Sequence, residues 1–168
     1  MLSTPLCIDP KGNEGLNPQK TEPTNPLYSL DKQQSSLVYY DKNTIVLTMP
    51  YWVKVTNSSV EDSEVKKHSF VLSYDPEAMT ASDTKLKLYI SHVVEDAGET
   101  VTRSNFTYAY RAYSIRAALA AFKEKTGKLP KYLELTAEIN NSKDELVDKD
   151  GKETSVERSV EYDYAFTE

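Results

Sequence analysis

Residues 44–56 read TIVLTMPYWVKVT, and this stretch decides the fold class. Ile45, Leu47, Met49, Tyr51, Val53 and Val55 recur at every second position, so an extended chain places them all on one face, with Trp52 and Lys54 on the other. Branched and aromatic side chains suit such a pleated, half-buried surface. Pro50 interrupts the run and has no N–H to give a ladder, which predicts a bulge, a bend or an edge position there.

The same period extends outward on both sides. Leu37–Tyr40 precedes the central run across the turn Asp41-Lys42-Asn43. Phe70, Leu72 and Tyr74 mark a strand that ends at Asp75-Pro76, and Leu86, Leu88 and Ile90 mark the next. Residues 95–99, with Gly98, predict a hairpin loop into residues 100–110, where Phe106, Tyr108 and Tyr110 share a face. Only then does the period change. Ile115, Ala118, Leu119 and Phe122 follow the i, i+3, i+4, i+7 spacing of a buried stripe; with Ser114 as N-cap and Gly127 and Pro130 as the stop, they predict a helix over 114–126. Alternation returns in Leu133, Leu135, Ala137 and Ile139, and again in Val160, Tyr162, Tyr164 and Phe166, across a polar hairpin stretch at 140–154. The expected fold is mainly β: an antiparallel β-sandwich or barrel of about seven strands with one covering α-helix.

Residues 1–36 read differently, as an extended N-terminal arm in front of a single β-rich domain at 37–168. Pro5, Pro10, Pro18, Pro23 and Pro26 are five of the chain's eight prolines, Gly12 and Gly15 add flexibility, and no apolar period runs through them. A segment of this kind builds no core of its own and needs a surface to hold it. The expectation is that it lies on other copies of the chain or on other subunits, anchored by Leu6, Ile8, Leu16, Leu27, Tyr28 and Leu30 and by main-chain hydrogen bonds of the strand-addition kind.

Composition limits the remaining possibilities. The apolar runs are far shorter than the roughly 20 residues that span a bilayer, so no membrane partner is expected. Residues 1–10 show neither a basic segment nor a long apolar one, so the expectation is cytoplasmic synthesis without a signal peptide. The lone Cys7 cannot form an internal disulfide. The net charge of −6 is concentrated at the C-terminal end, which disfavours polyanion binding by that surface.

No motif nominates chemistry: the reading predicts no catalytic residue, no cofactor and no metal ligand, and the protein is expected not to be an enzyme. His68 and His92 both fall within strand patterns, in register with apolar neighbours, which places them at the rim of a core. Five scattered glycines form no phosphate loop. The excess is in tyrosine, twelve residues of 168, a side chain that suits interfaces and also stacks on nucleic-acid bases. Trp52, Lys54, Lys85, Lys87 and Tyr89 form the alternative nucleic-acid face, and the helix ahead of the last two strands resembles the arrangement in small single-strand-binding OB-fold proteins. A β-domain with one helix, a long arm and tyrosine-rich strands more closely resembles the capsid accessory, decoration and tail subunits of bacteriophage virions. That resemblance implies a non-enzymatic structural subunit, located in a virion or other assembled particle.

Overall fold

Every stretch of alternation becomes a strand. The computed structural model describes residues 6–7, 9–10, 22–99, 101–141 and 155–166. Two two-residue strands, β1 (Leu6–Cys7) and β2 (Asp9–Pro10), are followed by β3 (Ser36–Asp41), β4 (Thr44–Val53), β5 (His68–Tyr74), β6 (Lys85–Val94), β7 (Asn105–Ser114), β8 (Tyr132–Ile139) and β9 (Val156–Asp163). The seven longer strands divide into a sheet of three, ordered β7-β4-β3, and a sheet of four, ordered β5-β6-β8-β9. β1 adds to the β7 edge of the first and β2 to the β5 edge of the second. The inner row of β4 (Ile45, Leu47, Met49, Tyr51, Val53) shares one core with Phe70 and Leu72 of β5, Leu86, Leu88 and Ile90 of β6, and Leu133, Leu135 and Ile139 of β8. The fold is therefore mainly β, a two-layer arrangement with no closed barrel.

Three details differ from the expectation. The longer strands pair antiparallel except β6 and β8, which run parallel in register Lys85↔Tyr132 through Ile90↔Ala137. That pairing requires a crossover, and the chain makes it by leaving the second sheet for β7 and returning through the helix α2 (Arg116–Thr126). Residues 95–99 are consequently a passage between sheets rather than a hairpin, turned tightly by Ala97 at φ 52° and Gly98 at φ 82°. Ser114 completes β7 instead of capping α2, whose N-cap is Ile115; the Ile115 amide donates to the Asn43 carbonyl at 2.7 Å. Gly127 ends the helix as expected, at φ 80° with its amide on the Lys123 carbonyl. Ala118, Leu119 and Phe122 are the buried residues of α2. A further four-residue helix, α1 (Asp62–Val65), carried no sequence signal.

The described part of the arm folds onto its own domain. Thr24 and Asn25 donate to the His92 carbonyl, Leu27 donates to Glu138 and accepts from Asn140, and Tyr28 donates to Pro50. Leu27 and Leu30 are 1% and 2% exposed within the core. The expectation that these two leucines anchor a neighbour is thereby corrected. A gap between two sheets, flanked by the strand-end amides and carbonyls that these bonds engage, offers the leucines burial worth roughly 1.5–3 kcal/mol each. Leu6 lies in β1, while Ile8 and Leu16 fall outside the described residues. The same contact explains Pro50: β3 pairs β4 only as far as Thr48, and the Pro50 carbonyl points to Tyr28, so the missing N–H faces away from the β7 ladder.

Several of the tyrosines act as staples between the layers. Tyr113 of β7 donates to the Phe70 carbonyl at 2.6 Å, Tyr39 of β3 to the Asp163 carbonyl at 2.7 Å, and Tyr164 to the Lys42 carbonyl at 2.7 Å. Each ring fills apolar space between the sheets while its hydroxyl satisfies a main-chain acceptor.

Candidate functional site

Two places depart from the ordinary rule of apolar inside and charged outside. The first is interior. α1 turns Glu64 inward, and Arg103, in the passage between β6 and β7, meets it with Nε at 2.9 Å and Nη2 at 3.0 Å. The other edge of the guanidinium holds Asp96 at 2.8 and 2.7 Å, and the Lys54 amide donates to Glu64 Oε2 at 2.6 Å. Burial works to raise the Glu64 carboxyl, but the hydrogen bonds from Arg103 and Lys54 outweigh it and bring it down to about 2. His68 Nε2 stands 3.4 Å from the same Oε2.

From there a chain of imidazoles leads back to the arm. His68 Nδ1 lies 2.8 Å from His92 Nε2, and His92 Nδ1 lies 3.1 Å from the Pro26 carbonyl. A carbonyl only accepts, so His92 Nδ1 carries a proton, its Nε2 accepts, and His68 Nδ1 donates. Burial, then the neighbouring His68, pushes His92 down to about 3; burial likewise lowers His68 against the pull of Glu64. His92 is 1% exposed and stacks on Phe70 at 4.9 Å between centroids. The histidines expected at the rim of the core are thus buried inside it. The hydrogen bonds of this knot join the arm, the end of β4, α1, β5, β6 and the Arg103 segment, which is structural work, while His68 Nε2 stands beside the Glu64 carboxylate without a hydrogen bond.

The second departure is on the surface. Because Ile45 through Val53 point inward, Thr44, Val46, Thr48, Pro50 and Trp52 of β4 point outward. Register then carries the outward row across the sheet: Trp52 faces Phe106, Pro50 faces Tyr108, Thr48 faces Tyr110 and Ser36, and Val46 faces Ala112 and Val38. None of these carries a charge. The one charged residue in register with them is Asp41, opposite Thr44 at the hairpin end, and its carboxylate accepts from the Asn43 amide in the turn. Tyr40 and Tyr110 are 68% and 65% exposed, with Val38, Tyr108 and Phe106 also open to solvent. Tyr28 closes one end: its ring stacks on Phe106 at 4.1 Å and meets Trp52 edge-on at 5.0 Å. Expected as an anchor on a partner, Tyr28 belongs instead to the rim of this aromatic row.

The five residues of the nucleic-acid reading do not form one surface. Trp52 is on the first sheet, 3% exposed, with its indole N–H on the Asn140 carbonyl at 2.6 Å, so it has no open ring face for a base. Lys54 lies just beyond β4. Lys85, Lys87 and Tyr89 are on the outer side of the second sheet, beside a recess of about 570 Å³ that Glu22, Asp75, Asp83 and Glu157 also line. Lys85 is engaged by Glu161 at 2.6 Å and Glu134 at 3.5 Å. Four carboxylates around two lysines repel a phosphate chain. Among the described residues no group of three or more His, Cys, Asp or Glu side chains converges as a metal site requires, and no helix is long and apolar enough to cross a membrane.

No family model and no curated protein matches the chain. Among solved structures it is similar to a Bacteroides fragilis protein described as a "putative lipoprotein", with 27% sequence identity and a TM-score of 0.74 over 98% of this chain and 72% of that one. The two-sheet fold is therefore shared, at the level of architecture, with a protein of that description.

Proposed function

We propose that the protein is a non-enzymatic binding subunit that works by contact, within an assembly of the cell envelope, through the outer face of its first sheet. One observation carries this reading: in a chain with 27% charged residues, that face presents Tyr40, Val38, Phe106, Tyr108 and Tyr110 to solvent without a charge among them. Contiguous uncharged, aromatic surface on a folded domain is the signature of an interaction site, since water and charge would otherwise cover it at no cost to the fold. The similarity to a protein described as a lipoprotein supports an envelope location over a virion, and single-strand binding gains no support from where its residues lie.

The test is photo-crosslinking in the cells that make the protein, with a photoreactive side chain at position 108 or 110 and a control at Ser159 on the second sheet. Discrete adducts, whether protein or carbohydrate, from 108 and 110 and none from 159 are expected. Labelling that is absent at 108 and 110, or equal at all three, removes the reading.

A further inference from the structure

We propose that the occupant of this face is a neutral, pyranose-based glycan chain; the proposal rests on the reading of the face as the working surface. Three properties select it. The face lacks charge where Tyr108 and Tyr110 are exposed, so neither a polyanion nor a charged peptide finds a counterpart there. Hydroxyls are interleaved with the rings: Tyr108, Tyr110 and Tyr40 carry their own, and Thr48 and Ser36 stand in register beside Tyr110. A sugar ring has the matching pattern, an apolar C–H face that stacks on an aromatic ring and a rim of hydroxyls that exchange hydrogen bonds. An acyl chain would leave those protein hydroxyls unpaired.

Size is the third property. β4 and β7 at ten residues and β3 at six, with about 3.3 Å per residue and about 4.8 Å between strands, give a face of roughly 400 Å². A stable protein interface needs about 800 Å² from each partner. The face is too small for a lasting dimer and has the elongated outline of a linear oligosaccharide, with the rings of Phe106, Tyr108 and Tyr110 repeating about every 7 Å along β7. Tyr28, stacked on Phe106, marks where the row ends.

Affinity electrophoresis of the purified chain through gels containing neutral polysaccharides (a β-glucan, an α-glucan, a xylan and a mannan), followed by titration with oligosaccharides of any that retard it, tests the proposal. Retardation in at least one gel is expected, insensitive to salt up to 0.5 M. Tyr108→Ala and Tyr110→Ala are each expected to weaken binding about tenfold, the scale of one lost ring contact, with unchanged thermal unfolding; Lys87→Ala on the opposite face leaves it unaltered. Retardation in none of the gels, or binding that survives both alanine variants, overturns the glycan. If the gels show nothing while the crosslinks at 108 and 110 yield protein adducts, the glycan is wrong and the interaction face stands. If the crosslinks fail as well, both fall.

Discussion

The knot around Arg103 and the outer face of the first sheet break the same rule in opposite directions, one putting charge inside and the other keeping it off the surface. They differ in how far their groups are satisfied. Arg103 is 4% exposed, yet its fork is filled by Glu64 on one edge and Asp96 on the other, and the two histidines pass their hydrogen bonds to Pro26. Tyr110 is 65% exposed and its ring meets no other aromatic ring among the described residues, although Phe106 and Tyr108 contact each other edge-on at 5.9 Å. A buried exception whose charges are paired explains itself as architecture. An exposed exception with open ring faces asks for something from outside.

Breaking the interior member should produce the largest effect. Arg103→Met leaves the buried Glu64 carboxylate, and the partly exposed Asp96 beside it, against an apolar side chain, and a loss of about 3–5 kcal/mol is expected from urea unfolding. A loss under about 1 kcal/mol would mean that the knot is not holding the arm and the β6–β7 passage together.

Acid sharpens the same contrast. His92 and His68 have their ionisation lowered by burial, so below the ordinary histidine value of 6.5 the unfolded chain takes up protons that the folded one refuses. Stability is therefore full above about pH 6.5 and falls as pH drops, by at most about 1.4 kcal/mol per pH unit for each histidine. Glu64, lowered from 4.5, adds its own loss only below about pH 4.5. Urea midpoints at pH 7.5, 6.0 and 5.0 all lie above the Glu64 window and read the histidines. Midpoints that stay level down to pH 5.0 would show that the imidazoles titrate normally.

The smallest stability effect belongs to the outer face. Tyr110→Lys is expected to shift unfolding by no more than about 0.5 kcal/mol, because the side chain packs against little of its own protein. A loss of 2 kcal/mol or more would make the face part of the fold rather than a surface held ready for a ligand.

Much of the architecture was legible because period two and period 3.6 are local properties. Leu86, Leu88 and Ile90 announce a strand, and Ala118, Leu119 and Phe122 a helix, whatever lies around them. Leu27 and Leu30 gave no such signal: isolated apolar residues among prolines have no period, and only the gap between the sheets shows that they belong to the core. Glu64 and Arg103 are 39 residues apart, and α1 is too short to leave an amphipathic trace. Trp52 looked like an open ring until Tyr28 was placed over it.

Sequence alone settled that this chain alternates its way into a β-rich domain with a helix before the last two strands, because side-chain direction in an extended chain depends only on position parity. Which parity faces water was a tertiary decision. In β7 the rule of apolar inside would bury Phe106, Tyr108 and Tyr110, but the register with β4 sets Tyr51 opposite Thr107 and Met49 opposite Ala109, and these take the inward row. The aromatic row is outside because the strand beside it had already committed its own larger residues to the core.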